Sequence, residues 1–150
     1  MRNIQNKGFT LIEVLVVMTI TLMVSAAFFW NWSMRDRQQA LSSAQTVAAV
    51  LREARDRGTF YGVRVNFTLH PKTASYTILR IPPTTVTRDL PLLVSHVRVG
   101  NNTGPLPITV TLPPFGSLNH SYEFFFVKGN YEVSVRLNRF AALVQVIRPN

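Results

Sequence analysis

One carboxylate interrupts the stretch KGFTLIEVLVVMTITLMV, residues 7–24. Glu13 stands near its start, and every residue from Val14 to Met34 is uncharged. A carboxylate at mid-bilayer costs about 2.5–3.5 kcal/mol on insertion scales, and less near an edge. Such a group usually has a partner. The plainer alternative is a carboxylate at headgroup level with no special task. Elsewhere the residue types that do chemistry are dispersed. His70, His96 and His120 lie 26 and 24 residues apart, a spacing that suits no metal site. Seven acids are spread thinly, with no pair placed for acid–base work. No glycine-rich phosphate loop and no Gly-x-Ser-x-Gly elbow occur. The absence of cysteine removes disulfides, thiol catalysis and thiolate metal sites. The expectation is a protein that is not an enzyme and carries neither cofactor nor metal.

The 150 residues suffice for one domain with an appendage. Apolar residues make up 47%, enough for a core, and charged residues only 15%. Thirteen arginines and three lysines against seven acids give a net charge of +9. That balance suits an anionic partner, either nucleic acid, lipid headgroups or an acidic protein, and equally a basic soluble surface or an arginine-favouring genome.

The elements that hold Glu13 come next. The 21 uncharged residues Val14 to Met34 are long enough to cross a hydrocarbon core of about 30 Å. Arg2 and Lys7 precede the run and Arg35 and Arg37 follow it, so the flanks alone do not set orientation. Ser25-Ala26-Ala27 has the small residues of an ordinary signal cleavage site, but Phe28, Phe29 and Trp30 follow at once and read as an interfacial anchor. No glycine or proline lies between Phe9 and Arg57, which predicts one helix of roughly 70 Å. In its second half Ala40, Ala44, Val47, Ala48, Leu51 and Ala54 recur at helical spacing and predict a buried face. Arg52, Glu53, Arg55, Asp56 and Arg57 mark the other side, and Gly58 reads as the stop.

The segment KGFTLIEVLVVMTI resembles the class III signal of type IV pilins and type II secretion pseudopilins. The resemblance implies a leader at residues 1–8, cut by a prepilin peptidase between Gly8 and Phe9, with Phe9 then N-methylated. Glu13 is the fifth residue from Phe9. In the family that glutamate pairs with the N-terminal amine of a neighbouring subunit, which would make Glu13 an assembly residue. Two groups each costly alone offset one another as a pair. The resemblance also implies the α+β pilin lollipop, a long N-terminal helix packed on an antiparallel sheet domain. The segments would be a membrane and filament-core half at 9–34, an amphipathic half at 35–58 and a globular part at 59–150. The chain would sit in a bacterial inner membrane, N-terminus cytoplasmic and globular part outside, before entering a filament. Its partners would be other pilin or pseudopilin subunits, the peptidase and the membrane.

After Gly58 the period changes to two. GVRVNFTL places Val63, Val65, Phe67 and Leu69 on one face. SYTILRI, LLVSHVRV, PITVTL, YEFFFV, YEVSVRL and ALVQVI complete about six or seven antiparallel strands. HPKTA, Gly129-Asn130 and NRFA are the expected turns, and Pro82-Pro83 and Pro113-Pro114 the edges or loops.

VLREARDRG, with the later FGSLNHSYEFFFVKGNYEVSVRLNRFAALVQV, resembles the GspH/FimT-type minor pseudopilins. This implies a minor subunit at or near a filament tip, in a type IV pilus or a type II secretion machine. Some members of that branch bind DNA in natural transformation, the alternative function. Lys128, Arg136, Arg139 and Arg148 are the candidate DNA-binding residues. The branch's Gly-Arg-x-Arg element is reduced here to Asn138-Arg139-Phe140-Ala141, without the glycine and the second arginine. From Arg35 onward the chain holds 14 basic residues against six acids, a balance whose phosphate binding would weaken with salt.

Overall fold

The computed structural model describes residues 10–140 and 143–148, with the side chains of residues 30–33 left aside. Gly8, Phe9 and the leader lie outside the described residues, as do Ala141 of the NRFA turn and Ala142. The architecture is α+β: one helix, α1 (Leu11–Tyr61), then nine strands. The chain divides into two compact units, Met1–Arg35 and Asp36–Asn150.

In the larger unit the strands form two antiparallel sheets. Strands β1 (Val65–Leu69), β2 (Thr73–Ile78), β3 (Thr84–Asp89) and β6 (Ile108–Leu112) make one, in the order β3-β2-β1-β6. Strands β4 (His96–Val99), β5 (Asn102–Gly104), β7 (Tyr122–Lys128), β8 (Tyr131–Leu137) and β9 (Val144–Ile147) make the other, in the order β5-β4-β7-β8-β9. The six apolar helix positions expected to face inward, Ala40, Ala44, Val47, Ala48, Leu51 and Ala54, are all fully buried. They share one core with Val65, Phe67 and Tyr76 of the first sheet and Val97, Phe124 and Val135 of the second. Four of the six are alanine, so the helix axis can lie close to the sheets while the large side chains come from the strands. Phe67 and Phe124, ring centroids 5.9 Å apart, join the sheets in that core.

Polar groups that reach into this interface are paired. Ser43 Oγ, fully buried, accepts from the Leu92 amide at 2.8 Å. The buried Tyr76 hydroxyl donates to Glu53 Oε1 at 2.8 Å, and Arg57 pairs with the same oxygen at 2.8 Å.

The helix runs past the expected stop. Gly58 is inside it, and the chain leaves the helix at Gly62, whose φ is +64°. The Gly62 amide donates to Thr59 O at 3.3 Å and the Val63 amide to Gly58 O at 3.1 Å, the two bonds of a Schellman cap. Gly58 is small for another reason. A Cβ there would stand 3.1 Å from Val65 Cγ2 and 3.2 Å from Val63 O, so glycine lets β1 close onto the helix end.

Strands β3 and β5 were not foreseen. β3 follows Pro82-Pro83 as an edge strand whose composition, TTVTRD, offers only Val86 as an apolar inward residue. β5 has three residues and no hydrophobic side chain. β2 begins at Thr73, inside the expected HPKTA loop, and ends at Ile78, leaving Leu79 and Ile81 exposed. Only the last four residues of LLVSHVRV are strand.

Two outcomes follow for the full chain in detergent. Gly58→Ala lowers unfolding free energy by about 1–3 kcal/mol through overpacking. Gly62→Ala costs about 1–2 kcal/mol through left-handed strain alone, and Gly62→Asn recovers most of that; denaturant titration measures all three. Burial first, then the hydrogen bond and charge of Glu53, push the Tyr76 phenol from 10.0 to about 12. The folded state therefore holds a proton that the unfolded chain releases at its lower value. This contribution is complete below pH 10.0 and is lost as pH rises towards about 12. Ultraviolet titration of the phenols shows a step near about 12 that Tyr76→Phe deletes.

Candidate assembly site and the basic clusters

The sequence Thr10-Leu11-Ile12-Glu13 closes the start of α1 as a capping box. Thr10 N donates to Glu13 Oε2 at 2.8 Å, and Thr10 Oγ1 donates to the same oxygen at 3.1 Å. In return the Glu13 amide donates to Thr10 Oγ1 at 3.3 Å. The first amides of any helix lack partners within it, and in a lipid setting no water replaces them. Glu13 thus has a task inside its own chain. Only Oε2 is used for it; among the described residues Oε1 accepts no hydrogen bond and is open to a second partner.

The helix that follows presents its apolar side chains outward on every side. All side chains from Leu11 to Phe29 are exposed, and the most apolar window has a mean hydropathy of 2.3. Its polar side chains satisfy themselves. Thr19, Thr21 and Ser25 donate to the carbonyls of Leu15, Val17 and Thr21 at 2.8, 2.7 and 2.8 Å. No hydroxyl of these three is left seeking water, so the surface suits hydrocarbon or other apolar helices. Phe28 and Phe29 are exposed at the end of the run; the Trp30 side chain of the expected anchor lies outside the described residues.

The four basic candidates do not form one patch. Lys128 and Arg136 lie at opposite ends of the β7–β8 hairpin and on opposite faces of its sheet. By strand alternation Lys128 shares the face of Phe124 and Phe126. Its Nζ donates to Gln39 Oε1 at 2.9 Å and stands 3.9 Å from Asp36 Oδ1. Arg136 is on the outer face, bonded to Glu123 Oε1 at 3.2 Å. The Arg139 amide donates to Ser121 Oγ at 3.1 Å, and its guanidinium lies 5.5 Å from the centroid of the Phe140 ring. Arg148 follows β9 and lines a cleft of about 260 Å³ together with Arg37.

The outer face of the five-stranded sheet holds a network that the sequence reading missed. Strand register aligns Thr103, Arg98, Glu123, Arg136 and Gln145 in one row across all five strands. Glu123 is only 8% exposed. It accepts from Ser134 Oγ at 3.0 Å as well as from Arg136, and Arg98 Nη1 stands 3.5 Å from its other oxygen. In the next row the His96 ring stacks on Phe125 at 4.3 Å, and the Arg98 guanidinium lies 5.0 Å from the same ring. The Phe125 ring and the Glu123 carboxylate are thus covered by side chains of their own sheet. This explains why four successive residues, Glu123 to Phe126, are buried in a strand that should alternate.

Replacing Glu123 by alanine leaves Arg98 and Arg136 facing each other and Ser134 Oγ without its acceptor. The expected loss is about 1–2 kcal/mol, kept modest because both guanidiniums are half exposed. Thermal unfolding of the detergent-solubilised chain reads it, and Glu123→Gln recovers part of it.

No curated protein and no solved structure matches the chain. A family model does match its start: residues 4–29 fit the prokaryotic N-terminal methylation motif. That span takes in Gly8, Phe9, Glu13 and most of the exposed apolar helix. The match supports a type IV pilin-like subunit that prepilin peptidase processes and that assembles with other subunits, and with the apolar helix it is consistent with a membrane anchor.

Proposed function

We propose that the chain is a minor pilin or pseudopilin subunit of the GspH/FimT type, used at or near the tip of a type IV pilus or type II secretion pseudopilus. One observation carries this reading. The methylation motif coincides with the first part of α1, where every side chain from Leu11 to Phe29 is exposed. Such a surface requires lipid before assembly and the helices of other subunits after it. The reading orients the chain with its start in the cytoplasm and residues 36–150 beyond the membrane. It gives Glu13 Oε1 the N-terminal amine of a neighbouring subunit as partner. It assigns the chain no catalytic role and no cofactor.

A second reading, DNA capture in natural transformation, is favoured by the Arg98–Arg136 pair, whose side chains remain 49% and 48% exposed on one sheet face. It draws less from Lys128, which is engaged with Gln39 and Asp36. A mobility-shift series in rising salt decides it. Binding that falls steeply with salt and is lost on charge reversal at Arg136 and Arg139 supports the reading; no binding at low salt removes it.

The principal reading is checked by intact-mass spectrometry of the chain expressed with and without prepilin peptidase. With the peptidase the mass falls by Met1 to Gly8 and rises by one methyl group on Phe9. Gly8→Val blocks both changes. A full-length mass in the presence of active peptidase and methylase contradicts the proposal.

A further inference from the structure

We infer that the cleft between Arg37 and Arg148 is a binding site for the headgroup of a membrane phospholipid, with the phosphate held by the two guanidiniums. The inference rests on the reading of Val14 to Met34 as a membrane span. The cleft lies wholly within the larger unit and measures about 260 Å³. Arg37 reaches it from the helix, Glu132 from β8 and Arg148 from just beyond β9, with Asn130 in the β7–β8 turn. Leu41 and the buried Val133 supply an apolar wall.

Two observations select this ligand. The first is height. Arg37 follows Met34, the last uncharged residue of the run, by three positions. At most about 11 Å of chain separates them whatever its conformation. Headgroup layers extend roughly 5–8 Å beyond the hydrocarbon on each side, so chain connectivity keeps Arg37 within a side chain's reach of phosphate level. The second is charge. Among the described residues neither Arg37 nor Arg148 has a carboxylate within ion-pair distance, whereas the neighbouring Lys128 is already engaged by Asp36 and Gln39. Two arginines that line one cleft and are not engaged in an ion pair are suited to binding phosphate oxygens. The apolar wall suits the glycerol end of a phospholipid rather than a free ion.

Occupied, the site would tie Arg37 and Arg148 to a lipid headgroup while the subunit is in the membrane. The same contact would have to break when the helix leaves lipid for a filament.

The test uses the full chain, extracted in a neutral detergent and analysed by native mass spectrometry with four probes. These are phosphatidylethanolamine, phosphatidylglycerol, inorganic phosphate and a single-stranded oligonucleotide. Retention of both phospholipids is expected, with the double substitution Arg37→Gln and Arg148→Gln weakening it by about tenfold or more. Unchanged lipid retention in the double variant overturns the inference, as does saturation by inorganic phosphate alone. Tighter, competing binding of the oligonucleotide overturns it in favour of nucleic acid. Carbonate extraction of membranes tests the underlying span separately. A chain that stays in the membrane pellet but shows no arginine-dependent lipid binding defeats this inference and leaves the span intact; a chain released by carbonate defeats the span.

Discussion

The first part of α1, residues 11–29, carries its apolar side chains uncovered. Nearly twenty consecutive residues expose apolar side chains on every side of a helix, a surface that water does not tolerate. The polar atoms within it are arranged around that fact. Thr19, Thr21 and Ser25 bond back to their own helix, and the first amides are closed by Thr10 and Glu13. A helix so finished can pass from lipid to a bundle of similar helices without exposing an unpaired donor.

The larger unit solves its packing with small residues on the helix and large ones on the strands. The alanine stripe brings the helix close, and Phe67, Tyr76, Phe124 and Phe126 fill the space from two sheets. Close approach explains the details at the helix end, where Gly58 admits β1 and Gly62 turns the chain. The outer face of the five-stranded sheet is held by cross-strand chemistry. Arginines on either side of Glu123 and a histidine on Phe125 cover what the strands would otherwise expose.

Much of this was legible in the residues. The helix face could be read from spacing because 3.6-residue periodicity needs no knowledge of the partner. β1, β6 and β8 alternate strongly and were legible, and β7 was legible as an aromatic-rich run. β3 and β5 were not, since an edge strand made of threonines carries no hydrophobic period. The stop at Gly58 was misplaced because a glycine can serve close packing as well as a turn, and sequence alone does not separate the two. The Glu123–Arg136 pair lay within reach. Once Gly129-Asn130 is taken as a two-residue turn, the hairpin register places the two opposite each other. Arg98 was beyond reach, because its row depends on β4 pairing with β7, with β5 and β6 intervening in the chain. The capping box was present in TLIE and was passed over, because the resemblance had already given Glu13 another partner.

The centre of the account is that Glu13 caps its own helix through one oxygen and, in the function proposed above, offers the other to a neighbour. Glutamine preserves the box geometry but removes the charge, whereas alanine removes both. The most direct measurement is therefore filament incorporation of Glu13→Gln beside Glu13→Ala, with helix content of each in detergent followed by circular dichroism. The account predicts that both variants fail to incorporate, while only the alanine variant frays at the helix start. Incorporation of Glu13→Gln at the wild-type level would contradict it, because the carboxylate would then serve as a cap and nothing more.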